Sequence, residues 1–117
     1  MNVYAMANSN KLSDIEVALS NNDMNIRKYA AGNPNISIEL LEEAACDPSY
    51  KVRKYAAGNR KATYAILAHL SNDKSNAVRK NVAYNKKTPK NILYKLLEDE
   101  VLSVRLQAVY SLRTKHR

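Results

Sequence analysis

A stretch of seven residues comes back after 26 positions almost unchanged, and this return limits what the chain can fold into. Arg27-Lys28-Tyr29-Ala30-Ala31-Gly32-Asn33 recurs as Arg53-Lys54-Tyr55-Ala56-Ala57-Gly58-Asn59. It recurs more loosely as Arg79-Lys80-Asn81-Val82-Ala83-Tyr84-Asn85 and fades at Arg105-Leu106-Gln107-Ala108-Val109-Tyr110-Ser111. Val3-Tyr4-Ala5-Met6-Ala7-Asn8 reads as the tail of an earlier copy. A period in this range predicts stacked units, each burying its apolar face against its neighbours and working through a surface instead of a pocket.

Alignment by the period yields columns. Leu40/Ile66/Ile92, Leu41/Leu67/Leu93 and Ala44/Leu70/Leu96 are spaced i, i+1, i+4 within each copy, the apolar stripe of a helix. A polar break follows at Asp47-Pro48-Ser49, Asn72 to Asn76, and Asp99-Glu100. A second helix then buries Val52/Val78/Val104 and Ala56/Val82/Ala108, small residues that let helices approach closely. Ser13 with Glu16 has capping-box spacing, and Thr88-Pro89 places a cap before a proline at the first helical position. Gly32-Asn33 and Gly58-Asn59 are expected to stop the second helix in a left-handed turn, with Tyr84-Asn85 a less sharp stop. The expected fold is all-α, an α-solenoid of stacked helix pairs with a 26-residue period and about four and a half repeats. It holds about nine short helices or half-helices in one domain, residues 1–117, of open superhelical handedness.

These residues resemble the leucine-rich repeat variant family, a relative of the HEAT-like α-solenoids. The resemblance rests on Val52 through Asn59, with its Val-Arg-x-x-Ala-Ala-x-Asn pattern, and on Asn85 through Asp99, a proline-bearing loop with a leucine-rich helix. It covers nearly the whole chain and speaks to fold more than to function. It also implies that the second helix of each pair lines a concave face, and that Asp/Arg pairs form a ladder between turns. Two departures count. The family's founding member is associated with an iron–sulfur cluster held by several cysteines, and Cys46 is the only cysteine here, so no cofactor is expected. The family's Asn-Pro pair survives at Asn33-Pro34 and becomes Asn59-Arg60 and Asn85-Lys86.

The net charge of +8 is unevenly spread. Residues 1–50 carry three basic and seven acidic groups, net −4, whereas residues 51–117 carry sixteen basic and four acidic, net +12. A basic end attracts polyanions, an acidic protein surface, or the acidic end of another copy, so head-to-tail self-association is a further expectation. No apolar run reaches the roughly 18 residues that cross a bilayer, and no leader resembles a signal peptide. With one cysteine, a reducing, cytoplasmic location is expected.

The arginine column 27/53/79/105 parallels Asp47, Asp73 and Asp99, each six residues before an arginine, and a structural pairing is expected over a phosphate clamp. The Asn33/Asn59/Asn85 column reads as turn chemistry. Lys28, Lys54 and Lys80, with the neighbouring Tyr29, Tyr55 and Asn81, would form a basic, aromatic strip along the inner surface. The loop cations Arg60, Lys61, Lys86 and Lys87 add to its field, as does Lys90. Arg113, Lys115, His116 and Arg117 read as a frayed basic tail. His69, His116 and Cys46 form no repeating metal set, and the acidic pairs suit helix surfaces, so no enzyme and no metal site are expected. Two functions stay open. One is a protein-binding scaffold anchored on Tyr4, Tyr29 and Tyr55. The other is sequence-nonspecific binding of a DNA or RNA backbone by the basic half, with steep salt dependence.

Overall fold

The computed structural model describes residues 2–115, which form nine helices and no strand among the described residues. In chain order these are α1 Val3–Ala7, α2 Leu12–Leu19, α3 Met24–Ala31, α4 Ile38–Ala44, α5 Tyr50–Ala57, α6 Tyr64–Leu70, α7 Asn76–Tyr84, α8 Lys90–Leu96 and α9 Leu102–Lys115. The molecule measures 43 × 27 × 19 Å along its principal axes. The odd-numbered helices pack directly on one another in the order α1, α3, α5, α7, α9, while α2, α4, α6 and α8 pack chiefly against the odd helices that flank them.

Side-chain size explains the difference. Ala30, Ala31, Ala56, Ala57, Val82, Ala83 and Ala108 are all fully buried, and such short side chains allow odd helices to lie close together. The even helices contribute the bulk: Leu41, Leu67, Leu70, Leu93 and Leu96 fill the space behind them. Each such leucine stabilises the fold by about 1.5–3 kcal/mol through removal of its side chain from water.

The helix ends revise several expectations. Ser37 and Thr63 cap α4 and α6, accepting from Leu40 N at 3.2 Å and Ile66 N at 3.3 Å. The same place before α8 is held by Pro89, which has no side-chain oxygen to offer. Thr88 is therefore not the cap; it falls in the column of Ile36 and Ala62, is fully buried, and donates its hydroxyl to Val82 O at 2.6 Å. Ser13 lies within the first turn of α2 and caps nothing; Lys11 precedes the helix, and Ser9 supplies the local bonds, accepting from Lys11 N and donating to Asp14.

Neither glycine adopts a left-handed conformation: Gly32 has φ −84° and Gly58 φ −85°, ordinary helical values. Their roles are spatial. A Cβ on Gly32 would stand 3.0 Å from Tyr55 Cδ2, so that glycine makes room for a ring of the next copy. At Gly58 the nearest atom, Asn81 Nδ2, is 3.6 Å away and a methyl group would fit. The basic tail is also less loose than expected, since Arg113 and Lys115 belong to α9, whereas His116 and Arg117 lie outside the described residues.

Candidate partner-binding face

Two polar ladders hold the odd helices in register and thereby position the face they present. In the first, Arg27, Arg53 and Arg79 each pair with the aspartate 20 residues ahead: Nε meets Oδ2 of Asp47, Asp73 and Asp99 at 2.9, 2.8 and 2.7 Å. The second guanidinium nitrogen, Nη2, donates to the other carboxylate oxygen, making the pair two-pronged. Nη1 of Arg53 and Arg79 turns back to the carbonyl of the aspartate six residues before, so each arginine spans two copies. Each aspartate also accepts a backbone N–H two residues on, from Ser49, Ser75 or Val101. Arg27, Arg53 and Arg79 are thus fully employed in holding the fold, as the pairing of their column with the aspartates predicts, while Arg105, among the described residues, keeps only the bond from Nη1 to Asp99 O.

The electrostatics of the last rung follow from this geometry. Burial pushes the Asp99 carboxyl up, but the hydrogen bonds from Arg79 and from Val101 N–H, with the charges of Arg79 and Arg105, outweigh it and hold the group below its ordinary value. The hydrogen bond to Asp99 correspondingly raises Arg79.

The second ladder is made by asparagine and does more than shape turns. Asn33, Asn59 and Asn85 each accept a backbone N–H two residues on, which is turn chemistry. Their amide groups, however, reach the preceding copy: Asn59 donates to Ala31 O and Asn33 O, and Asn85 to Ala57 O and Asn59 O, at 2.8–3.0 Å. Buried carbonyls at the ends of α3 and α5 are satisfied in this way.

With register fixed, equivalent residues on successive odd helices become neighbours. Tyr29 and Tyr55 meet edge to face with ring centroids 6.2 Å apart. Tyr4 joins at 6.1 Å from Tyr29, although it stands one residue outside the 26-residue frame. Lys28 Nζ lies over both rings, 5.2 Å from Tyr29 and 5.7 Å from Tyr55. Asn81 donates Nδ2 to Lys54 O at 3.0 Å, so its tip is partly spent on α5. Lys28, Lys54, Tyr55 and Asn81 are half-buried, while Tyr29 and Lys80 are exposed. Tyr55, packed against Gly32, has a structural share in its role that its column alone did not disclose.

The loop cations divide. Arg60, Lys86 and Lys87 line a hollow of 430 Å³ with Gly58, Asn81, Tyr84 and Asn85. Lys61 instead turns toward the preceding copy and donates Nζ to Ile36 O at 3.1 Å. A second hollow of 530 Å³ shares Tyr84, Asn85 and Lys86 and adds Gln107, Tyr110, Ser111, Thr114 and Lys115. Tyr84 and Tyr110 are the residues that column reasoning passed over. They occupy the places of Gly32 and Gly58, and the substitution of tyrosine for glycine was legible only as a weaker helix stop. Among the described residues no group of three or more His, Cys, Asp or Glu side chains could hold a metal ion, and no helix is long and apolar enough to cross a membrane. No protein-family model matches the chain, and no curated protein matches it.

Proposed function

We propose that the chain is a non-catalytic α-solenoid scaffold of the leucine-rich repeat variant or HEAT-like kind, and that it binds an acidic segment of a protein partner along the odd helices. The direct stacking of α1, α3, α5, α7 and α9 supports the architectural part, because the looser even helices would then form the outer, convex layer. The observation that carries the functional part is the seat of Lys28 over Tyr29 and Tyr55. A cation held above two rings, beside a third ring at Tyr4, offers charge and flat apolar area together. The strip continues through Lys54 and Lys80 to the hollow around Tyr84, with Arg60, Lys86 and Lys87 at its edge. A reducing, cytoplasmic setting accords with Cys46 being an exposed free thiol.

The favoured occupant is an extended acidic peptide with apolar anchors, since tyrosines and cations alternate along the strip. Binding of a nucleic-acid backbone is the second reading, favoured by the crowding of Arg60, Lys86 and Lys87 around one hollow. A titration separates them. A labelled glutamate-rich peptide with two leucine anchors and a labelled single-stranded oligonucleotide are each added to the chain at low and moderate salt. The peptide is expected to bind, to lose about tenfold on Tyr29→Ala, and to lose more on Lys54→Glu/Lys80→Glu, with circular dichroism unchanged. Binding of the oligonucleotide alone, lost in salt and indifferent to Tyr29→Ala, would overturn the protein-partner reading.

A further inference from the structure

The row of rings Tyr4, Tyr29 and Tyr55 stops in the third copy. Each ring of the row meets the next, with centroids 6.1 and 6.2 Å apart. Tyr55 also stands against Gly32, where a Cβ would come within 3.0 Å of its Cδ2. One copy on, the glycine is kept as Gly58, but the ring is not: Asn81 takes its place. Asn81 is shorter, and its Nδ2 is engaged with Lys54 O at 3.0 Å. What Tyr55 fills beside Gly32 therefore has no counterpart beside Gly58, and the hollow of 430 Å³ opens there, with Gly58 and Asn81 among its walls.

Two further features set the chemistry of this hollow. Tyr84, one turn past Asn81 on α7, stands in the place of Gly32 and Gly58; its ring lines the hollow and is 61% exposed. The remaining charge at the hollow is all of one sign: Arg60, Lys86 and Lys87 line it, and no carboxylate does. All three are exposed, and among the described residues none of them is held in an ion pair. In the first copy the place of Arg60 and Lys86 is Pro34, so these cations belong to the copies that border the hollow.

We propose that this hollow receives an aromatic side chain of the partner segment, and that carboxylates flanking that residue pair with Arg60, Lys86 and Lys87. The inference rests on the protein-partner reading given above and adds to it the residue that anchors the segment. The guest ring stands against Gly58 as Tyr55 stands against Gly32, and so supplies the fourth member of the row. An aliphatic anchor fills volume but lacks the positive ring edge that the face of Tyr84 attracts. Basic residues beside the anchor are disfavoured by the three cations. A nucleic-acid strand also offers rings and negative charge. The cations do not continue for it on either side, since Leu106 follows Lys80 in its column and residues 1–50 carry net −4. A short acidic segment with one ring fits the local patch better.

Two labelled peptides test this by fluorescence anisotropy with the full chain: the glutamate-rich peptide with two leucine anchors, and the same peptide with one leucine replaced by phenylalanine. The phenylalanine peptide is expected to bind about tenfold more tightly. Asn81→Tyr, which restores the residue of its own column and fills the hollow from within, should abolish that advantage with circular dichroism unchanged. Lys86→Glu/Lys87→Glu, at exposed sites, should weaken the phenylalanine peptide more than the leucine peptide. Tyr29→Ala should weaken both peptides and leave their ratio intact. On addition of the phenylalanine peptide, the ring current should move the Gly58 N–H resonance of the wild-type chain. Equal binding of the two peptides, or an advantage that survives Asn81→Tyr, overturns the inference and leaves the acidic-segment reading standing. No binding by either peptide overturns both. A single-stranded oligonucleotide that binds where the peptides do not, and is lost on Asn81→Tyr, gives the hollow to a nucleobase and likewise overturns both.

Discussion

The odd and even helices bury apolar stripes of similar length but are held by different means. The odd helices meet through alanines, and what fixes their relative position is polar: the two-pronged arginine–aspartate pairs and the asparagine amides. Among the even helices volume decides, and a cross-link such as Asn91 Nδ2 to Tyr64 OH at 2.8 Å lies on exposed ground, while Lys95 Nζ reaches the part-buried Ser71 hydroxyl at 3.0 Å. Apolar contact is tolerant of small slips, whereas a hydrogen-bonded charge pair has one good geometry. Register is therefore set on one side of the molecule and bulk on the other. That division leaves the odd face rigid enough to present a row of equivalent side chains.

The contrast can be tested by breaking each side in its own way. The largest effect is expected from Asp73→Ala, which strands the buried Arg53 guanidinium and frees Ser75 N–H; a loss of about 3–5 kcal/mol should appear in urea unfolding. Asn91→Ala, which removes an exposed cross-link of the even side, should cost less than about 0.5 kcal/mol in the same measurement. Size should act in opposite senses on the two sides. Leu67→Ala is expected to cost about 2–5 kcal/mol by leaving a cavity, and Ala57→Leu about 1–3 kcal/mol by forcing α5 and α7 apart.

Acid should weaken the odd side selectively. The folded Asp99 carboxyl titrates below its unfolded value, so its contribution is complete above the ordinary carboxylate range, about pH 4, and is lost as pH falls through the folded value. Urea midpoints measured from pH 6 downward should fall in that acid window, and Asp99→Asn should lower stability at neutral pH while flattening this part of the profile. A further small effect distinguishes the two glycines. Gly58→Ala should stabilise by about 0.4–1 kcal/mol through the unfolded chain, and Gly32→Ala should not, because its methyl group meets Tyr55. Paired thermal melts of the two variants would show the difference.

The period disclosed most of what the odd side does. Arginine and aspartate recur in parallel columns, and nine helices follow from the stripes and breaks. It went less far where a local motif competed with it. Thr88-Pro89 carries a familiar cap signature, yet position 88 falls with Ile36 and Ala62, and a place buried in two copies stays buried in a third. The glycines suggested left-handed turns because that is a frequent use of glycine after a helix; here the requirement comes from a ring 23 residues away, which no local rule contains. The asparagine amides reach carbonyls 26 and 28 residues back, a geometry that depends on how closely the helices lie. Tyr84 and Tyr110 became part of the candidate surface only once two hollows placed them beside Lys86.

The side-chain hydrogen bonds described between copies span 20 to 29 residues, from Arg27–Asp47 to Lys115–Lys86. Each rung is thus indifferent to how many others exist. Excision of residues 60–85 would bring Asp99 to Arg53 and Thr88 to Ala56 O, matching donor to acceptor at the splice. Length in such a molecule behaves as a countable quantity, open to gain or loss in whole steps of 26.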